Sequence, residues 1–271
     1  MMDMVCSSSA EAGRVSLRHR QLEAAATVRE CRRALASTGS NLISELTGGG
    51  DTRDWQRYPE GEVYDPASHA QYFYHCHGRA GAGSGPRVEH GHFHVFLRAE
   101  GMPPGVAPLV LPELAVANAP LPPQAAPLRR GAGAEVSHLV AVAVAGRGEP
   151  VRLFTTNRWV TGETWYRAED AIAMLDRLQV TRGGGSELVN RWLGAMVQLF
   201  RSEIAALLRE RDAAVMAWRR RRRSNVFEDP RCEILSSCDI DLDGYLAAEP
   251  DAHAARRPSS RLPRMAEGWG V

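Results

Sequence analysis

The chain has 271 residues, 44% of them hydrophobic, and a formal charge of +1, enough apolar material for a substantial core and too little net charge to steer the whole molecule toward nucleic acid or anionic lipid. All 33 basic residues are arginine, which excludes a Schiff-base lysine, a lysine general base and a phosphate-loop lysine. Five scattered cysteines without a Cys-x-x-Cys pair argue against a disulfide scaffold or a zinc ribbon. The start carries an acid at Asp3 and no apolar segment of a secretion signal, and no run approaches the ~20 apolar residues of a membrane span. These features lead to the expectation of a cytoplasmic protein with free thiols and no membrane contact.

From Ala10 to Leu46, Leu17, Leu22, Ala25, Val28, Leu35, Leu42, Ile43 and Leu46 recur at loose helical spacing, predicting one or two helices that end at Gly48-Gly49-Gly50. Residues 1–50 are therefore read as an N-terminal helical segment, 51–248 as an α+β core domain and 249–271, rich in Ala, Pro, Arg and Ser, as a disordered tail. Within the core, Gln71–His77 and Gly91–Arg98 read as strands on either side of a glycine-rich loop. A Pro/Ala-rich insertion at 101–135 follows, holding eight of the sixteen prolines. Ser137–Ala145 and Val151–Thr156 make a hairpin, and "NRWVTGETWY" continues as strand or irregular hairpin. Arg167–Val180 reads as an amphipathic helix, and a longer one starts at the N-cap Ser186 and runs past Leu208. "CEILSSCDIDLDGYL" alternates weakly as a last strand. The fold class expected is α+β, a central antiparallel sheet between N-terminal and C-terminal helices.

Six of the nine histidines fall on these strands or, for His90, directly before one: His75 and His77, His90, His92 and His94, and His138. Alternate positions of a strand share a face, so "EHGHFH" would project three imidazoles together. Antiparallel pairing that opposes His77 to His90 also opposes His75 to His92. Neutral imidazole is the commonest metal ligand, and His92 and His94 form the preferred pair. Three histidines suit Zn²⁺, and two with a carboxylate suit Fe²⁺ or Mn²⁺; zinc or iron is the expected cofactor. Glu89, Glu100 and Glu163 are the carboxylates available as ligand, supporting group or general base, with Glu89 and Glu163 the candidate catalytic residues. The reading that follows is a metal-dependent hydrolase or hydratase. The alternative is a non-catalytic protein that binds a ligand or partner and whose histidines are packing residues.

"NRWVTGETWY" interleaves polar groups with tryptophans, and Asn157, Arg158, Trp159, Thr161, Trp165 and Tyr166 form a candidate pocket for a small-molecule ligand; the opposing reading is a well-anchored hairpin. Arg219 to Arg223 sit where a helix C-terminus attracts cations, and with one tryptophan beside them they do not make a nucleic-acid footprint. "DIDLDG" begins like a calcium loop, but its twelfth position is Pro250 where a glutamate is required, so it reads as a strand end. Oligomeric state leaves no signature in this sequence.

"HFHVFLRAE" resembles the first cupin motif, with Glu100 later than in that family and no second motif in "GRGEPVRLFTTN". His92, His94 and His138 resemble the ligand set of the α-type carbonic anhydrases, a likeness confined to those residues. "EHGHFHVFLR" with "LFTTNRWVTGETWY" resembles a bacterial family carried as a domain of unknown function, over roughly Trp55 to Asp243. That resemblance implies no activity.

Overall fold

The computed structural model describes residues 2–76, 88–114, 135–221 and 225–247, with side chains from residue 15 onward. His77, the glycine-rich loop at 78–87, most of the Pro/Ala-rich insertion, Arg222, Arg223 and the 249–271 tail lie outside the described residues.

Two helices open the chain, α1 (Met2–Ser37) and α2 (Leu42–Thr47). Asn41 caps α2 through its side chain, and Gly48 ends it in the left-handed region (φ 63°), which glycine enters without a Cβ penalty. Then come β1 (Arg57–Tyr64), β2 (Ala70–Cys76), β3 (Glu89–Arg98), β4 (Val136–Ala145) and β5 (Pro150–Thr156). The helices α3 (Arg158–Thr161), α4 (Ala168–Leu175), α5 (Glu187–Leu199) and α6 (Arg201–Arg221) precede the last strand, β6 (Ile234–Asp239), and α7 (Leu242–Ala247). All six strands are antiparallel, and their order in the sheet is the order of the chain, so each pairs with its sequence neighbours. The α+β class expected from the sequence is the class observed.

The helices pack on one face of the sheet. Tyr72, Tyr74, Phe93, Val95, Val140, Val142, Val144 and Leu153 belong to the same apolar cluster as residues from α1, α4, α5 and α6. Phe93 meets Trp192 of α5 at 5.7 Å between ring centroids, and the Tyr72 hydroxyl donates to Asn190 Oδ1 at 2.6 Å. Ser236 of β6 donates to the Leu207 carbonyl of α6 at 2.8 Å. α1 joins this layer by lying along α5, with Val28 and Cys31 fully buried. Side chains of opposite parity, including Phe73, Ala141, Ala143 and Phe154, point to the other face and form separate clusters.

Several boundaries differ from the sequence reading. "NRWV" is the short helix α3, because Asn157 caps its first N–H and Gly162 closes it with φ 67°. The long C-terminal helix breaks at Phe200, whose backbone (φ −98°, ψ 23°) leaves the helical region. After Asp239 the chain turns into α7, where Asp241 Oδ1 accepts the Gly244 N–H at 3.2 Å and Asp243 pairs with Arg32 at 2.6 Å. Those acids therefore serve a turn, a helix start and an ion pair instead of a strand end. The four cysteines with described side chains, Cys31, Cys76, Cys232 and Cys238, are free. Among the described residues, no helix is long and apolar enough to cross a membrane.

Candidate metal centre

The centre lies on the face of the sheet turned away from the helices. His75 of β2 is directly opposite His92 of β3, the register anticipated from the sequence, and His94 follows two residues along the same strand. Their side chains meet: His75 Nε2 is 2.9 Å from His92 Nε2, which is 3.1 Å from His94 Nε2. One ligating nitrogen from each of the three lies within 4.8 Å of those from the other two. Nitrogens 2.0–2.1 Å from a tetrahedral ion stand about 3.3 Å apart, so this spacing approaches the edge of a metal's coordination shell. On β4 the residues paired with His92 and His94 are Ala143 and Ala141, whose methyl groups leave the imidazoles room. Phe154 edges against His92 at 5.0 Å, and Phe73 lies 5.7 Å from His75 and 5.1 Å from His94.

Two irregularities decide which other residues reach the centre. In the pairing of β3 with β4, Glu89 is opposite Ala145 and Gly91 opposite Val144, so His90 is an extra residue on β3. The bulge carries His90 to the helix side, where its ring stacks on Tyr74 and its Nε2 meets Thr52 Oγ1 at 3.3 Å. It brings Glu89 to the histidine side. Gly91 makes the crossing feasible: a Cβ there would collide with the His75 carbonyl and lie 2.8 Å from Cys76 Cα. Strict alternation from His90 through His94 therefore does not hold.

The second irregularity lies between Val95 and Phe96. Val95 is opposite Val140 and Phe96 opposite His138, so β4 holds the extra residue, Leu139. Without it His138 would have the parity of the helix-facing valines. With it, His138 Nε2 reaches His94 Nδ1 at 3.1 Å. His138 stands behind His94, and the histidine that completes the triad is His75.

Glu89 binds His92 Nδ1 through Oε1 at 2.7 Å, and its other oxygen pairs with Arg152. Burial opposes ionisation of this carboxyl, but the bond to His92 and the charge of Arg152 hold it below the usual glutamate range. The Glu89 carboxylate thus favours the tautomer with the proton on Nδ1 and the Nε2 lone pair free. A comparable chain runs from His94. His94 Nδ1 lies 3.1 Å from His138 Nε2, and His138 Nδ1 lies 3.3 Å from Thr156 Oγ1; a His94 tautomer with its proton on Nδ1, donating to His138, would leave the Nε2 lone pair free. Burial pushes the His138 imidazolium down to about 3, aided by Arg211 and His92, so the ring is neutral at physiological pH. Partners of this kind fix the orientation of metal-binding imidazoles.

Glu163 lies behind His138, where its Oε2 accepts the His138 main-chain N–H at 2.7 Å. Burial raises its carboxyl to about 7, against the opposing pull of Arg211, the His138 N–H, Arg158 and Thr161. Glu100 is exposed on the turn after β3. The six residues of the candidate ligand pocket contact other parts of the protein. Asn157 donates to the Val226 carbonyl at 2.7 Å, Arg158 pairs with Glu228, and Trp159 Nε1 donates to the Cys232 carbonyl at 3.1 Å. Thr161 donates to Glu163 at 3.5 Å, Trp165 packs edgewise on Phe227, and Tyr166 donates to Glu135 at 3.1 Å. Arg219 pairs with Glu113 at the end of α6.

Sequence reasoning passed over Arg57, Trp55 and Arg152. Arg152 and Arg57 lie over Phe154 and Phe73, the rings that wall the triad. Trp55, half exposed and 5.9 Å from His75, holds a left-handed backbone (φ 65°) secured by its N–H bond to the Cys76 carbonyl. The signal for Arg152 was its position on a strand two residues from Phe154 on the same face, whereas Arg57 lies over a ring of the neighbouring strand and left no such signal. Trp55 left no comparable signal.

The chain belongs to the family described as "Domain of unknown function (DUF6969)", whose model matches residues 22–240. No curated protein and no solved structure matches the chain.

Proposed function

We propose that this protein binds a transition-metal ion, zinc or iron, through His75, His92 and His94, and that it is a metal-dependent hydrolase or hydratase. The observation that carries this reading is the meeting of the three imidazoles, with His92 Nε2 2.9 Å from one neighbour and 3.1 Å from the other. Three imidazoles burying their nitrogens against one another have little reason to be assembled as packing, because each costs desolvation that a shared cation would offset. Glu89 and the His138–Thr156 pair would orient His92 and His94, as supporting groups do in metal sites. A zinc ion held by His75, His92 and His94 would supply Lewis-acid chemistry that activates water near neutral pH. Glu89 and Glu163 keep distinct places in this reading. Glu89 stands at the centre and can exchange a proton near it, whereas Glu163 supports the strand that presents His138.

Elemental analysis of the purified, untagged protein tests the proposal, alongside a His92→Ala/His94→Ala double variant. The expected result is near-stoichiometric metal in the parent and its loss from a variant that retains its circular dichroism. Failure of the parent to retain zinc, iron or manganese after incubation with each overturns the metal reading. The histidines are then packing residues, and the protein falls to the non-catalytic class.

A further inference from the structure

Solvent reaches the triad at one end. His75 and His92 are 8% and 7% exposed against 2% for His94, and Phe73 and Phe154, the rings that wall the centre, are buried. Trp55 is different. It stands beside His75 with ring centroids 5.9 Å apart, and 50% of its surface is exposed. No other tryptophan, tyrosine or phenylalanine among the described residues is exposed. An indole left half in water forfeits part of the gain that a large apolar ring makes by burial.

The backbone adds to that cost. Trp55 holds φ 65°, a region that a bulky residue enters only against steric resistance and that glycine enters freely. The turn is kept there by bonds to the end of β2 and the start of β1. The Trp55 N–H donates to the Cys76 carbonyl at 2.9 Å, and Asp54 forms an isolated bridge with Cys76. The Cys76 thiol donates to the Arg53 carbonyl at 3.3 Å, and the Arg53 N–H donates to the Tyr58 hydroxyl at 2.8 Å. Cys76 follows His75 directly, so the bonds that fix the turn also fix the indole relative to the triad. A turn that had only to connect α2 with β1 would be served better by a glycine at this position. Strain that surrounding bonds maintain beside a candidate centre points to a contact the strained residue is there to make.

We infer that Trp55 is the platform on which the ligand of this centre stacks, and that this ligand carries a planar aromatic or heteroaromatic ring next to the group it presents to the triad. The inference rests on the metal reading above and names its substrate class. The face of an indole is flat and apolar and carries a negative quadrupole, which suits a ring that stacks offset or meets it edge-on and does little for an open-chain polar group. Trp55 is a binding residue in this reading, and it sets specificity without taking part in the chemistry.

Benzohydroxamate, cyclohexanecarbohydroxamate and acetohydroxamate share one chelating group and differ only in what is attached to it. Each is titrated into the cobalt(II)-loaded protein, whose visible absorption band responds to a new ligand. The parent, Trp55→Gly and Trp55→Phe are compared, glycine accepting the left-handed backbone without a ring and phenylalanine keeping a ring. Expected in the parent is an affinity for benzohydroxamate about 10-fold or more above that for acetohydroxamate, with the cyclohexyl compound between them. In Trp55→Gly that preference should fall to about 3-fold or less, and Trp55→Phe should keep most of it. Cobalt affinity and the response to acetohydroxamate should be equal in all three proteins. An undiminished preference for benzohydroxamate in Trp55→Gly, at equal cobalt load, overturns the inference and leaves the metal site standing; so does a parent that binds the cyclohexyl compound as tightly as benzohydroxamate or shows no preference. A Trp55→Gly variant that loses cobalt affinity marks the indole as a support for His75 and overturns the inference as well. A parent that takes up no cobalt overturns both readings.

Discussion

On the proposed metal reading, replacing Glu89 isolates what a carboxylate adds to the centre without removing one of its three histidines. Its Oε1 lies 2.7 Å from His92 Nδ1, and its second oxygen pairs with Arg152. A hydrogen bond to an ionised acceptor contributes about 1.5–3 kcal/mol, and loss of the carboxylate behind a metal-binding imidazole weakens metal binding about 10–100-fold, which is the same range in free energy. Glu89→Gln is the informative change. Its amide can turn its oxygen to His92 and keep that bond as a weaker, neutral one, but the NH₂ then confronts Arg152. The expected loss is about 10-fold for Glu89→Gln and about 100-fold for Glu89→Ala, which also leaves Arg152 without its counter-charge. Competition for Zn²⁺ against a chromophoric chelator reads both affinities. Parent-like affinity in both variants would show that His92 needs no carboxylate, and the assignment of Glu89 to the centre would fall.

Gly91→Ala places a methyl group against the His75 carbonyl and 2.8 Å from Cys76 Cα, both backbone atoms of β2 that cannot turn aside. Denaturant unfolding should show a loss of about 1–3 kcal/mol, and metal affinity should fall with it because β2 and β3 part beside His75. Glu163 has its folded-state pKa raised to about 7, so its favourable protonated state is fully present at acid pH and lost as pH rises from ~4.5 through 7. Urea unfolding at pH 5 and pH 8 should show Glu163→Gln gaining about 2–3 kcal/mol on the parent over that interval, and a pH-independent difference would contradict it. His138 titrates in both proteins, so its opposing acid sensitivity cancels in the comparison. Tyr72→Phe leaves Asn190 Oδ1 buried without its donor at 2.6 Å and should cost about 1–3 kcal/mol in the same measurement, with metal affinity unchanged because Tyr72 lies on the helix side.

The middle of the molecule was legible because its strands announce themselves locally. "VAVAVA", Val140 to Ala145, alternates valine and alanine, and the structure sends these valines to the helices and the alanines to the histidines. The β2–β3 register was legible for a similar reason: pairing one histidine opposite another fixed all the rest. The edge strand β1 was not legible, since Pro59 and Gly61 interrupt its alternation and its pairing with β2 is irregular between Tyr58 and Val63. The break at Phe200 was hidden because apolar residues continue at helical spacing on both sides of it.

The site itself turned on what alternation cannot express. A period of two assigns every residue of β3 and β4 to a face, and one added residue reverses the assignment for everything beyond it. His90 is such a residue on β3, and its displacement exchanges an imidazole for the Glu89 carboxylate at the centre. Leu139 is such a residue on β4, and it draws His138 to the side of His94. Neither bulge has a turn residue to mark it other than Gly91, and a glycine within a strand signals a close backbone approach without saying which neighbour is turned. Both irregularities act in one direction. Each brings a group that can orient an imidazole to the edge of the triad, His138 behind His94 and Glu89 behind His92, while His75, His92 and His94 keep the ordinary pairing of a regular ladder. A sheet that needed these histidines only as packing would gain nothing from either bulge, since each leaves a residue out of the hydrogen-bonded ladder. Their position on both sides of the triad ties the local cost to the orientation of its rings.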